Sequence, residues 1–305
     1  MAVERTGTAD YEPTDQPDSY LRTYVNCVEA CQKRFRTSAD ENESFAEISR
    51  IASSIKEKLG THTAAHIVCM AERSYWLSRN LAARLQKSRQ DVLGLGWGNQ
   101  DHLTFRSSRH NFSRLVALFS SLGFRNRERF YAGAEAGWGA QVMENSVARI
   151  TLFLDVDLAP EEVDTDFSQQ ELKPRDQLGT VGLWCALHGD SFLQAGMHHV
   201  AARFDFTRLI GDLAQYGITY MPPFTNFSYF KQAFSVAERW PVDPARVRKL
   251  ALQKAITGAQ GEQFLSQGAV GSHLEDIERR EGYKGFNRKN VSAIIRDTDP
   301  RKHLA

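Results

Sequence analysis

A short run that opens on a histidine, alternates side chains like a half-buried strand and hands over to an amphipathic helix stopped by glycine occurs twice in this chain. The first copy is Asp101-His102-Leu103-Thr104-Phe105-Arg106, followed by Phe112, Leu115, Val116, Leu118 and Phe119 at helical spacing, with Gly123 ending it. In the second copy Val200, Ala202 and Phe204 alternate with His199, Ala201 and Arg203, and Phe206, Leu209, Ile210 and Leu213 then recur helically up to Gly217. An imidazole on a strand points to one face of a sheet. A sheet curved into a cup can therefore present it to a metal together with ligands from neighbouring strands. A third run, Ser272 to Arg279, reads as a late strand that offers a carboxylate. Two imidazoles and one carboxylate make the facial triad of non-haem iron oxygenases.

Length and charge narrow the remaining classes. A chain of 305 residues buries a sizeable core as one large domain or two smaller ones, and 38 Lys and Arg against 37 Asp and Glu give no basic field for nucleic acid. The partner to expect is a small molecule. Cys27, Cys31, Cys69 and Cys185 contain no C-x-x-C pair, which speaks for reduced thiols in a cytoplasmic protein. No apolar run has signal-peptide character at the N-terminus or transmembrane length elsewhere, so no membrane association is expected.

Taken in order, residues 1–18 read as a disordered tail, polar and rich in Thr, Asp and Pro. Residues 19–96 read as a helical region of three or four helices. His62 and His66 stand there at i and i+4 with Glu72 beyond, but no matching second ligand helix accompanies them, and a structural role is the better reading. Leu93-Gly94-Leu95-Gly96-Trp97-Gly98 is a joint, and its glycines lead into a strand rather than the helix a nucleotide loop needs. Residues 97–160 read as a first βαβββ unit with strands at 101–107, 127–131, 139–144 and 149–156 and a helix at 111–122. After an acidic connection, residues 178–297 read as a second unit. Its segment Val181 to Leu187 fits strand or helix, its strands are expected at 199–204, 218–221, 263–270 and 273–279, and a largely helical insertion is expected at 227–259. The tail 282–297 ends in a short helix.

These units resemble the vicinal oxygen chelate superfamily, whose paired modules curl into a cup around one divalent metal. Within it the likeness is to the catalytic half of 4-hydroxyphenylpyruvate dioxygenase and hydroxymandelate synthase. Gln100-Asp101-His102-Leu103 resembles the family's first D-H strand. Gly196 to Ala201, with Asp205, Gly217 and Pro222-Pro223, resembles its G-x-x-H-x-A strand, helix and double proline. Glu275 to Arg279 with Gly285-Phe286 and Asn290 resembles its closing E-x-x-x-R, G-F and N. A fainter likeness, through D-H-x-x-F-R and the preceding helices, is to the 2-oxoadipate dioxygenase/decarboxylase (hydroxyglutarate synthase) family. The fold class implied is α+β, paired βαβββ modules forming a metal cup preceded by an all-helical segment.

Carried over residue by residue, the resemblance implies His102, His199 and Glu275 as ligands of Fe(2+). The activity implied is a dioxygenase that decarboxylates and hydroxylates a small 2-oxo acid, with dioxygen as co-substrate. The same triad also suits extradiol ring cleavage or a redox-neutral isomerase or lyase, and a cup of this shape without metal suits a sequestering protein; a homodimer is the assembly to test. Each ligand has a plainer reading, as a strand histidine bonded to a carbonyl or an exposed ion-paired glutamate. Along the last strand Glu275 and Ile277 share a face, whereas Asp276 and Glu278 share the other, so Glu278 does not simply replace Glu275. By the same alternation His198 points away from the face of His199, outside the metal shell. Arg106, Arg203, Gln263, Ser266 and Asn290 are candidates to hold a substrate carboxylate or keto group, Arg being suited to bidentate contact. The family's dioxygenases carry a second pair of modules where this chain has helices, which suggests that the helices cap the open end of the cup. The long C-terminal helix of those enzymes is absent here or reduced to Val291 to Arg296, and their F-T-K-P segment is missing, the nearest stretch being Gln263 to Gln267.

Overall fold

The computed structural model describes residues 16–36, 40–131, 137–162, 164–280, 282–283 and 288–303. Most of the tail expected at 1–18, and the Gly285-Phe286 turn, lie outside the described residues. Four helices come first: α1 (Asp18–Gln32), α2 (Glu41–Leu59), α3 (Thr61–Ser78) and α4 (Leu81–Val92). Their ends follow from local chemistry. The Asp40 side chain accepts from the N–H groups of Asn42 and Glu43 to start α2, and Asn80 accepts from Ala83 N–H to start α4. Gly60, at φ 85°, separates α2 from α3 in a conformation other residues rarely adopt.

The first module is β1 (Gln100–Arg106), α5 (Phe112–Ser121), β2 (Arg125–Tyr131), β3 (Trp138–Asn145) and β4 (Ile150–Asp157). Helix α6 (Thr180–His188) and a single π-helical turn, Ser191–Ala195, lead into the second module. That module is β5 (His199–Arg203), α7 (Phe206–Ala214), β6 (Thr225–Phe227) and β7 (Phe230–Phe234). An excursion through β8 (Arg239–Trp240), α8 (Pro244–Leu252), α9 (Gly258–Gln267) and β9 (Ala269–Val270) precedes its last strand, β10 (His273–Arg279). Helix α10 (Arg288–Asp297) follows.

Eight strands form one sheet in the order β2-β3-β4-β1-β5-β10-β7-β6, which reads the same for both modules outward from the β1–β5 seam. That seam is antiparallel and centred on Leu103 opposite Val200, while β4 runs parallel to β1 and β10 parallel to β5. The duplicated strand–helix unit is thus a duplicated βαβββ module, and the fold is α+β as its pattern implies.

Three segments differ from the sequence reading. The strand expected at 218–221 is a single bridge, Tyr220 to Ser235. The strand expected at 263–270 is mostly helix: Thr257 and Gln260 form a reciprocal capping box that starts α9, and only Ala269–Val270 is extended. The insertion expected at 227–259 begins instead with a β6–β7 hairpin, Phe227 pairing with Phe230, so the true excursion spans 235–272, between the last two strands of the module. Phe230, Gln232 and Phe234 alternate as a strand should, but the aromatic density around them masks the period. Val181 to Leu187 is helical. Its apolar residues surround the axis, which leaves no period to read.

Alternation divides the sheet into two faces. Leu103, Phe105, Leu152, Leu154, Val200, Ala202 and Leu274 join Ala64, Ile67, Val68 and Trp76 of α3 in the largest core cluster. The N-terminal helices therefore back the sheet; they do not cap the open end of the cup. No helix among the described residues is long and apolar enough to cross a membrane.

One buried ionic knot ties that backing layer to the second module. Glu72 on α3 is paired with Arg36 at 2.7 Å and Arg34 at 2.9 Å, and Arg34 also donates to the Phe192 carbonyl in the π-helical turn ahead of β5. The pairing also disposes of a metal at His62, His66 and Glu72, because His62 is bonded to Asn145 and Glu72 is taken by two guanidiniums. Glu72→Ala leaves two buried cations without their anion. The expected loss is about 3–5 kcal/mol in urea unfolding; a loss under about 1 kcal/mol would show that the knot is dispensable.

Candidate metal centre

His102, His199 and Glu275 come together on the concave face although they belong to three strands. His102 and Thr104 alternate with core-facing Leu103 and Phe105 on β1; His199 opens β5; and Glu275, Ile277 and Arg279 share the concave side of β10. One nitrogen from each imidazole and one Glu275 oxygen all lie within 4.8 Å of one another, and all three residues are buried. His199 Nε2 is 3.1 Å and His102 Nε2 3.4 Å from the same oxygen, Glu275 Oε2. Bonds of about 2.0–2.2 Å to one centre span each of these two separations at somewhat more than a right angle, as neighbouring positions around a metal do. The donor set thus fits a divalent transition metal.

Each donor is held from behind by a different group. Asp101 Oδ2 is 3.0 Å from His102 Nδ1, and the same carboxylate pairs with Arg203 at 2.9 Å and Arg279 at 3.5 Å. Gln232 Nε2 donates to Glu275 Oε1 at 3.1 Å, with Thr225 Oγ1 donating in turn to Gln232 Oε1. His199 Nδ1 lies 2.9 Å from His198 Nδ1; on the opposite, metal-facing side of that ring, Thr104 Oγ1 lies 2.8 Å from His199 Nε2. His198 is not among the converging donors, yet its ring is not turned away. It stands at the bend just before β5 begins, where strand alternation does not reach.

The electrostatics follow from burial and these partners. Burial alone would lower the His102 imidazole, but Asp101 and Glu275 outweigh it and lift it to about 9. For Glu275 burial works upward, and the two imidazoles overcome it, bringing the carboxyl down to about 2. At His199 burial prevails over Glu275 and the imidazole is lowered. Burial would also raise Asp101, but His102, Arg279 and Arg203 hold it well below the usual carboxylate range.

The triad forms part of the wall of a cavity of about 490 Å³. Phe130, Trp138, Phe153, Phe224, Phe234 and Tyr283 give it aromatic walls, and Val291, Ile294 and Ile295 border it, so α10 reaches the site. Of the residues expected to contact substrate, Arg203 lines this cavity. Arg106 does not: it is fully buried, donates to Thr298 Oγ1 at 3.2 Å and lies 5.7 Å from the Trp184 ring centre. Gln263 and Ser266 are on α9, where the Ser266 hydroxyl donates to the Glu262 carbonyl, and Asn290 is on α10; none is among the described residues lining the cavity. Because α9 is helix, Gln263 and Ser266 stand off the sheet. Sequence reasoning missed Thr104, Asp155, Gln232 and Arg279. Thr104 and Arg279 were within reach of the alternation argument, being two and four positions from a candidate ligand on its own strand.

No protein-family model and no curated protein matches the chain. Among solved structures, it is similar to a variant of 4-hydroxymandelate synthase from Streptomyces coelicolor, at 14% identity over 67% of this chain, with a TM-score of 0.41; the match spans 54% of that protein. A Shewanella frigidimarina protein provisionally named a hydrolase matches at 14% identity over 69% of this chain and 92% of its own, TM-score 0.43. Methylmalonyl-CoA epimerase from Mycobacterium tuberculosis matches at 10% identity over 60% and 88%, TM-score 0.32. The strand order decides the architecture: two βαβββ modules paired about an antiparallel seam, with the candidate donors on the concave face, are the vicinal oxygen chelate fold.

Proposed function

We propose that this chain is a non-haem Fe(II)-dependent dioxygenase that oxidises a small chelating 2-oxo acid, with decarboxylation and hydroxylation. The observation that carries the reading is the meeting of two imidazole nitrogens and one carboxylate oxygen, all within 4.8 Å of one another, on the wall of a cavity lined by aromatic and charged side chains. His102, His199 and Glu275 would hold the iron, which would supply Lewis acidity toward the substrate oxygens and relay electrons from the 2-oxo acid to dioxygen. The remaining chemistry belongs to the chain. Asp101 and Gln232 fix the orientation of two donors. Arg203 and Arg279 put positive charge on the cavity wall, where a substrate carboxylate gains a charge-assisted bond. The aromatic walls and α10 give the cavity apolar surface beside the donors, and Asp155 on β4, raised to about 7 by burial, can hold or release a proton near neutrality.

Protein purified anaerobically with iron supplied is expected to contain close to one iron per chain, and His102→Ala, His199→Ala and Glu275→Ala to contain almost none. With iron bound, a screen of 2-oxo acids should find one that drives oxygen uptake with stoichiometric carbon dioxide release. Bound metal with turnover but no oxygen uptake would point to the redox-neutral reading, and no bound metal at all to a sequestering cup. Arg203→Ala should raise KM for an active 2-oxo acid about tenfold or more, the worth of one charge-assisted hydrogen bond.

Metal uptake also has a proton signature. His102 rises to about 9 in the metal-free chain and must be neutral to coordinate, so at pH 7.5 metal binding should release about one proton, readable by calorimetry in buffers of different ionisation enthalpy. The sign of stability is opposite for the two forms. Protonated His102 stabilises the metal-free fold fully below its ordinary value near 6.5, and that contribution is lost as pH rises through about 9. Between pH 6.5 and 9 the metal-free melting temperature should therefore fall, and the gain on adding metal should grow.

A further inference from the structure

We infer that His198 is a positioning residue that fixes the tautomer and ring orientation of His199 through an imidazole-to-imidazole hydrogen bond; the inference rests on the reading of His199 as a metal ligand. Four observations support it. The two Nδ1 atoms are 2.9 Å apart, and His198 is fully buried. Its backbone is pinned on both sides, the N–H donating to the Thr104 carbonyl and the C=O accepting from His273 N–H, each at 3.0 Å. Its ring is boxed edge-on by Trp184 at 5.8 Å and His273 at 5.3 Å between centroids, so it does not swing freely. Finally, His198 Nε2 is buried with no hydrogen-bond partner among the described residues, where the bond to His199 is the one its ring makes.

The proton count then has one solution. A ligand at His199 Nε2 needs its lone pair there, which puts the hydrogen of the neutral ring on Nδ1. That N–H must donate to His198 Nδ1, and the hydrogen of His198 must sit on its own Nε2. His102 is backed by a carboxylate and His199 by a neutral ring, so the two imidazole donors are not equivalent. Outer partners of this kind are worth about 10–100-fold in metal affinity.

Zinc supplied to the metal-free protein is the probe. His198→Leu removes the acceptor and should weaken zinc binding at least tenfold, whereas His198→Asn, which keeps an acceptor near the position of Nδ1, should stay within about threefold. Thermal melting of the metal-free variants separates this from a packing defect. Equal zinc affinity in His198→Leu and the unmodified chain, or equal weakening in both variants, overturns the inference. If His199→Ala itself keeps its zinc, the ligand reading has failed instead. Should His198→Leu not fold, long-range nitrogen–proton NMR of histidine-labelled, zinc-loaded protein decides alone: His199 protonated on Nδ1 and His198 on Nε2 is expected, and His198 protonated on Nδ1 overturns it.

Discussion

The antiparallel pairing of β1 with β5 is the constraint on which the rest of the site depends. Because Leu103 faces Val200 at the centre of that seam, His102 lies opposite Ala201 and His199 opposite Thr104. A shift of one residue would turn either histidine into the core and bring an apolar side chain to the concave face. The core cluster guards against this: Leu103 and Val200 are both completely buried against the helical layer, and reversing them would put two imidazoles there without partners. Packing behind the sheet thereby sets chemistry in front of it.

The same pairing shows how the two modules have diverged. The step that carries His102 to His199 carries Thr104 to Ala201, and the parallel neighbours of those two residues are Phe153 on β4 and Glu275 on β10. A symmetric cup would offer a fourth donor where Phe153 stands. Its ring packs 4.4 Å from the His102 ring instead, so that side of the centre is apolar. Three donors on one side and an aromatic wall on the other leave coordination positions facing the cavity, the arrangement a bidentate substrate needs. Asp155 and Ile277 are exchanged in the same sense, which places a carboxyl raised to about 7 on the first module.

Much of this was legible in the sequence because it depends on short periods. The alternation around His102, His199 and Glu275 specifies face and strand, and those are the residues that converge. What the sequence could not carry is long-range. Gln232 orients Glu275 across the β7–β10 pairing, but the hydrogen bond joins residues 43 apart and the strand bearing Gln232 is hidden among aromatics. Gln263 looked like a substrate contact only while its segment read as a strand; one capping box at Thr257 turned it into helix and moved it off the sheet. His198 marks the limit of the alternation rule itself, since a residue one position ahead of a strand need not obey it.

Burying three ionisable donors and Asp101 in one place is costly unless each is paired, and the pairings show where rigidity lies. Asp101 collects His102, Arg203 and Arg279; Glu275 collects both imidazoles and Gln232; none of these contacts comes from α10. Among the described residues, the side chains that α10 gives to the cavity are Val291, Ile294 and Ile295, all apolar. The donors are therefore held by polar contacts from the sheet itself, while the described α10 side chains that border the cavity are apolar. A wall of that kind can yield to an entering substrate without disturbing the geometry of the centre, so access and pre-organisation are supplied by different parts of the chain.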